Sequence, residues 1–263
     1  MGVLDEIIAH KRGELARRRV ERPLGELEQA CRGLAGPRDF ETALRPRAPR
    51  RVSLIAEVKR ASPSHGVLNA DLDPVSQART YARSEATAVS VLTDEKYFRG
   101  SLEDLVAVRA AVTVPLLRKE FILEEYQLWE SRLAGADAVL LIVAALEQQR
   151  LRDLMQAARG MGLGVLVEVH TADELERAIA LTAPVIGVNN RDLQTLKTSL
   201  APSLSLLPLI PPGPVAVSES GISTAAEVER VIEAGAQAIL VGEGLVRATD
   251  VPAKVRELLL ATS

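Results

Sequence analysis

Glu57 and Lys59 stand at the end of a short apolar run, Ser53-Leu-Ile-Ala-Glu-Val-Lys, just before a Ser/Pro/Gly loop. A buried strand excludes ionisable groups unless they are paired, and residues two apart on a strand share a face. Glu57 and Lys59 therefore read as an opposite-charge pair at a strand mouth, either part of an active site or a structural ion pair. Further apolar runs end in chemistry of the same kind: Leu117-Arg-Lys119-Glu-Phe121, Glu168, Asn189-Asn-Arg191-Asp, Ser218-Glu219-Ser220-Gly221 and Gly242-Glu-Gly244. If these ends meet, two lysines and several glutamates form a general acid–base constellation, with no nucleophile–base pair and no call for a metal. The histidines and Cys31 lack metal-ligand spacing. Arg118 points opposite to Lys119, hence outward. His65 and His170 read as surface or supporting residues rather than catalysts. Glycines after the last two runs let backbone N–H groups approach an anion, which suits a phosphate.

The elements that would bring these ends together follow from periodicity. Leu4, Ile7, Ile8 and Leu15 fall at helical spacing, and Leu24, Leu27 and Leu34 repeat the pattern after Pro23. Beyond Arg51, eight apolar runs qualify as strands: Ser53–Val58, Ala88–Leu92, Pro115–Leu117, Ala138–Val143, Gly164–Val169, Val185–Val188, Pro214–Val217 and Ala238–Val241. Helical patterns follow seven of them. Asp73-Pro74 and Ser101-x-x-Asp104 signal helix starts, while Thr171-x-x-Glu174 and Thr224-x-x-Glu227 predict capping boxes. Ala134-Gly-Ala-Asp-Ala-Val-Leu-Leu and Ala234-Gly-Ala-Gln-Ala-Ile-Leu-Val are near copies, each a helix end turning directly into a strand. Eight fully apolar strands alternating with helices predict a parallel (β/α)8 TIM barrel, whose active site lies at the strands' C-terminal ends. The expectation is one α/β domain over 1–263, in which 1–50 is an N-terminal helical extension.

Composition narrows the partners. The 263 residues carry a formal net charge of −3 and one cysteine. Arginine and lysine cluster at Lys11, Arg12, Arg17, Arg18, Arg19 and Arg22, but interspersed glutamates favour a solvated helix face over a polyanion patch. A lone cysteine permits no internal disulfide, which fits a reducing cytoplasm. No run is long enough to span a bilayer, and the first residues lack a signal peptide's apolar core. No nucleotide-binding glycine fingerprint follows a strand. The expected partner is a small phosphorylated molecule, with no nucleic acid, membrane or cofactor, and the chain is expected to act as a monomer.

Six motifs in order carry a family resemblance: Ile55-Ala-Glu-Val-Lys-Arg-Ala-Ser-Pro-Ser, Leu92-Thr-Asp-Glu-Lys-Tyr-Phe-Arg-Gly, Pro115-Leu-Leu-Arg-Lys-Glu-Phe-Ile, Val167-Glu-Val-His-Thr, Gly187-Val-Asn-Asn-Arg-Asp-Leu and Ser218-Glu-Ser-Gly-Ile. Over essentially its whole length the chain resembles the indole-3-glycerol phosphate synthases of tryptophan biosynthesis. The resemblance implies a carbon–carbon lyase that closes the ring of 1-(2-carboxyphenylamino)-1-deoxyribulose 5-phosphate with loss of carbon dioxide and water. It implies Lys119 as general acid, Lys59 holding the substrate carboxylate or also acting as an acid in dehydration, and Glu168 as base or stabiliser of iminium charge. Glu57, Asn189 and Glu219 would orient substrate and lysines. Ser64, Ser220, Gly221 and Gly242 would hold phosphate, Arg191 would also meet substrate, and Phe98, Phe121, Leu140 and Leu193 would line the aromatic pocket. The extension would cover the barrel mouth. Two positions depart from the family pattern: Glu120 replaces a common aspartate, and Gly244 a common serine. Competing readings are a phosphoribosyl isomerase, which would need Asp or Cys at strand ends, and a polyanion-binding protein using the N-terminal arginines.

Overall fold

The computed structural model describes residues 2–47, 51–192 and 195–260. Eight parallel strands close into a barrel in sequence order: β1 Ser53–Val58, β2 Ala88–Leu92, β3 Leu116–Lys119, β4 Ala138–Ile142, β5 Gly164–Val169, β6 Val185–Asn189, β7 Val215–Glu219 and β8 Ala238–Val241. β1 pairs with both β2 and β8, which closes the sheet. Four strands have the expected bounds. β3, β6 and β7 run further than their apolar cores, because Lys119, Asn189 and Glu219 continue the parallel ladder while turning polar side chains inward. A two-residue hairpin, Ala61–Ser62 with Gly66–Val67, was too short to show any periodicity.

The helices of six or more residues that follow the strands are α4 Pro74–Arg83, α5 Leu102–Ala111, α6 Glu125–Leu133, α7 Gln148–Gly160, α8 Ala172–Ala180, α9 Ala201–Leu206, α10 Ala225–Glu233 and, after β8, α11 Val251–Leu258. Asp73 and Ser101 accept hydrogen bonds from the first turns of α4 and α5, and Thr224 with Glu227 completes a capping box on α10. At α8 Thr171 caps as expected, but the Glu174 carboxylate passes its own cap and accepts from the His170 backbone N–H at 2.7 Å.

Strand period sorts the core into two layers. Outward residues such as Leu54, Val89, Leu141 and Val167 pack under the helices. Inward residues such as Ile55, Leu117, Leu140, Leu166, Val217 and Leu240 fill the barrel.

Three helices precede the barrel: α1 Val3–Glu21, α2 Leu24–Cys31 and α3 Phe40–Leu44. Leu34 lies beyond α2 and is exposed, so the second helical pattern ends earlier than expected. Phe40 and Leu44 of α3 are buried and join the barrel's inner cluster. Phe40 sits against β5's first residue, where a Cβ added to Gly164 would lie 3.1 Å from the Phe40 Cβ. The aromatic ring thus plugs the barrel at the N-terminal ends of its strands.

Ile7 of α1 belongs to the same inner cluster from the opposite end. The basic face of α1 is only partly solvated. Lys11 is 1% exposed and Glu14 8%. The Lys11 Nζ lies 2.9 Å from Glu14, 2.9 Å from Asp94 and 3.1 Å from Glu120, the residue after β3. Arg18 meets Glu14, Glu95 and Glu130. A helix read as a surface face is therefore ion-paired into the barrel rim. No described helix is long and apolar enough to cross a membrane.

Candidate active site

Period-two alternation puts the last inward residues of the strands around one chamber: Glu57 on β1, Lys119 on β3, Glu168 on β5, Asn189 on β6 and Glu219 on β7, with Lys59 just past β1. The space between these residues, with the open solvent at its mouth counted in, is about 820 Å³. Lys59 Nζ lies 2.6 Å from Glu57 Oε1. Lys119 Nζ lies 3.1 Å from Glu168 Oε2 and 3.4 Å from Glu219 Oε2. All six residues named as acid–base candidates are thus brought together, and the two lysines point into the same space. Arg118 turns outward as expected and is fully buried under α6, bound to Thr93, Gln127, Glu130 and Ser131.

Electrostatics divide the carboxyls. Burial opposes ionisation of Glu57, yet Lys59 and Lys119 hold its carboxyl below the usual range. Burial likewise opposes Glu168, and Lys119 and His170 outweigh it. Burial pushes Glu219 up to about 8, with Glu168 and Glu57 adding to the rise and Lys119 opposing it. Burial disfavours the Lys119 ammonium, but Glu168, Glu219 and Glu57 hold its pKa above the ordinary lysine value. Lys119 is therefore a charged proton donor in the free protein.

One wall is apolar. Phe98 and Phe121 lie 6.2 Å apart between ring centroids, tilted by 41°, and Leu140 borders the same space. Leu92 and Ile142 border this space too, Leu196 and Leu240 line the chamber further round, and Val3, Leu4 and Ile7 of α1 reach it from above. The extension thus covers the mouth. Leu193 lies outside the described residues; its neighbour Leu196 reaches the chamber, a residue that spacing alone did not pick out.

On the other side a smaller recess is bordered by Lys59, Arg191, Ser220, Gly221, Gly242 and Gly244. Ser220 and Gly221 both adopt positive φ, 65° and 74°, so the turn after β7 winds back against the β8 end. Ser64 accepts from Arg191 Nη1 at 2.5 Å, while Arg191 Nη2 lies 3.7 Å from Glu243. Arg191 thereby ties the loops after β1, β6 and β8 together. His65 remains in its loop on Ser64 and Glu243.

Two glycines shape the chamber by lacking side chains. A Cβ on Gly242 would strike Glu57 Oε1 and lie 3.0 Å from Lys59 Nζ, and a Cβ on Gly187 would overlap Glu219 Oε1. The sequence motif contained Gly187, but nothing in its spacing revealed whose carboxylate leans over it.

Fold and site together define a (β/α)8 barrel with a lysine–glutamate acid–base chamber, an aromatic wall and a glycine-edged recess. Residues 4–258 match the family model described as indole-3-glycerol phosphate synthase. Relatives carrying that name include one from Dehalococcoides mccartyi (strain CBDB1), 47% identical over 98% of this chain and 100% of its own. Another, from Kineococcus radiotolerans, is 49% identical over 99% of this chain and 96% of its own. A solved thiamine phosphate pyrophosphorylase from Pyrococcus furiosus shares the fold at a TM-score of 0.60 and 16% identity, over 84% of this chain and 96% of that one. The chain belongs to the indole-3-glycerol phosphate synthase family.

Proposed function

We propose that the chamber carries out the family's ring closure on 1-(2-carboxyphenylamino)-1-deoxyribulose 5-phosphate, with Lys119 as the general acid. The apolar wall holds the anthranilate ring, and the recess at Ser220, Gly221 and Gly242 holds the phosphate with Ser64 and Arg191. This placement sets the ring carbon that bears the carboxylate against the ribulose carbonyl. As the C–C bond forms, Lys119 protonates the carbonyl oxygen, so no free alkoxide develops. Carbon dioxide then leaves, and its bonding pair restores the aromatic ring. In the dehydration Glu168 takes the proton from the carbon attached to nitrogen, the C–H pair becomes the new ring double bond, and the hydroxyl departs with a proton from Lys59 as water. Glu57 and Asn189 orient Lys59 and Glu168, and Glu219 orients Lys119.

The observation that carries this reading is Lys119 held between Glu168 and Glu219 in the chamber that Phe98 and Phe121 also line. The same reading takes 1–263 as one domain acting as a monomer in the cytoplasm, on a small molecule and not on nucleic acid. Purified protein given the carboxyphenylamino sugar phosphate should develop indole absorbance, and Lys119→Ala should lower kcat by about 10²- to 10⁴-fold with an unchanged circular dichroism spectrum. No indole from the parent protein, or near-parent turnover by a folded Lys119→Ala, overturns the reading.

A further inference from the structure

Asn190, the residue after β6, is 2% exposed, and the ring closure set out above does not use it. Its backbone N–H donates to Glu219 O at 2.9 Å. Its carboxamide is engaged at both ends. Nδ2 donates to Ser218 Oγ at 3.1 Å and to the Ser220 backbone O at 3.0 Å. Oδ1 accepts from the Ser203 N–H, in the first turn of α9, at 3.0 Å. Ser203 and Ser218 are fully buried, with their hydroxyl oxygens 2.7 Å apart. These partners fix which way the amide points, because only its nitrogen can donate to a carbonyl and only its oxygen can accept from an N–H.

The Ser220 carbonyl belongs to the peptide that leads into Gly221. A trans peptide is planar, so its C=O and N–H point opposite ways. A donor that grips Ser220 O therefore sets where the Gly221 N–H aims. The Ser220 N–H already donates to Leu240 O at 3.4 Å, whereas the Gly221 N–H has no partner among the described residues. Ser220 and Gly221 border the recess beside Gly242 and Arg191, and Asn190 does not. This turn needs holding. Ser220 sits at φ 65°, which a residue with a Cβ seldom adopts, and Gly221 at φ 74° can rotate at little steric cost.

We propose that Asn190 is a positioning residue for the phosphate: its grip on the Ser220 carbonyl locks the Ser220–Gly221 peptide with the Gly221 N–H turned to the recess. This rests on the reading of that recess as the phosphate pocket and adds what pre-forms its donor. A peptide whose carbonyl accepts a hydrogen bond is polarised so that its N–H donates more strongly. Without the lock, the turn must be ordered as phosphate binds, which weakens binding and leaves the chemistry at Lys119 alone.

Inorganic phosphate, as a competitive inhibitor of indole formation, is the probe. Asn190→Ala should raise both its inhibition constant and the substrate KM about tenfold, with kcat changed less than about threefold. Asn190→Asp keeps an oxygen for the α9 N–H but sets its other oxygen against the Ser220 carbonyl. At high salt, which screens its added charge, it should lose phosphate affinity at least as far. Ser203→Ala loosens the same cluster without touching the Ser220 carbonyl, so it should melt at a lower temperature yet keep the parent's KM and inhibition constant. Parent-like phosphate inhibition in either Asn190 variant overturns the lock. So does a fall in kcat as large as the rise in KM, or a tenfold loss of phosphate affinity in Ser203→Ala. If Asn190→Ala fails to fold, Asn190→Asp, which retains the contact to α9, decides. A parent protein that makes indole but is not inhibited by phosphate marks a failure of the phosphate-pocket reading, and the lock falls with it; absence of indole from the parent marks a failure of the ring-closure reading.

Discussion

Lys119 faces two glutamates, and that imbalance sets the charge of the chamber. Near neutral pH Glu219, pushed up to about 8, carries its proton, while Glu57 and Glu168 are ionised. Two ammonium groups then stand against two carboxylates, so the chamber is close to neutral before an anionic substrate arrives. The native pKa of Glu219 lies above its ordinary value of 4.5. Its contribution to stability is therefore complete below that value and lost as pH rises through about 8. Denaturant titrations between about pH 5 and pH 9 should show stability falling with pH in the parent protein and a flatter profile in Glu219→Gln. Gly187 matters for the same carboxylate. Gly187→Ala should displace Glu219 and lower kcat by about 10²-fold while the fold is retained, read by kinetics beside a thermal melt.

At the scale of elements, α1 is fastened to the barrel by Lys11, whose three carboxylate partners come from α1 itself, the loop after β2 and the end of β3. Burial penalises this ammonium, yet Glu120 and Asp94 hold it charged. Lys11→Met leaves three acidic groups facing one another around an apolar tip. It should cost about 3–5 kcal/mol in urea unfolding, as removing one member of a buried ion pair does. Nothing in the sequence announced this role, because Lys11 looks like its solvated neighbours Arg12 and Arg17 until β3 supplies Glu120. The strands were legible for the opposite reason. A parallel strand covered on both faces is apolar throughout, so Ala238–Val241 could be bounded to the residue. Where a strand carries chemistry at its tip, as at Lys119 and Glu219, the apolar signal stops before the ladder does. The acid–base residues could still be named, since an ionisable group at the end of a buried run is conspicuous. The residues that only make room or support, such as Gly187 and His170, depend on neighbours from other strands and helices.

At the scale of the molecule, the barrel is shut below by Phe40 and Leu44 and roofed above by α1. Phe40→Ala should cost about 3–5 kcal/mol of stability, the usual range for emptying a buried aromatic site. KM should stay unchanged, because Phe40 touches the strands at the end away from Lys119; urea melts and steady-state kinetics on the same sample separate the two effects. The stopper at the lower end also governs traffic. Among the described residues such a vessel is corked at its base, so gas set free in the proposed decarboxylation is expected to escape upward, on the side where Val3, Leu4 and Ile7 stand.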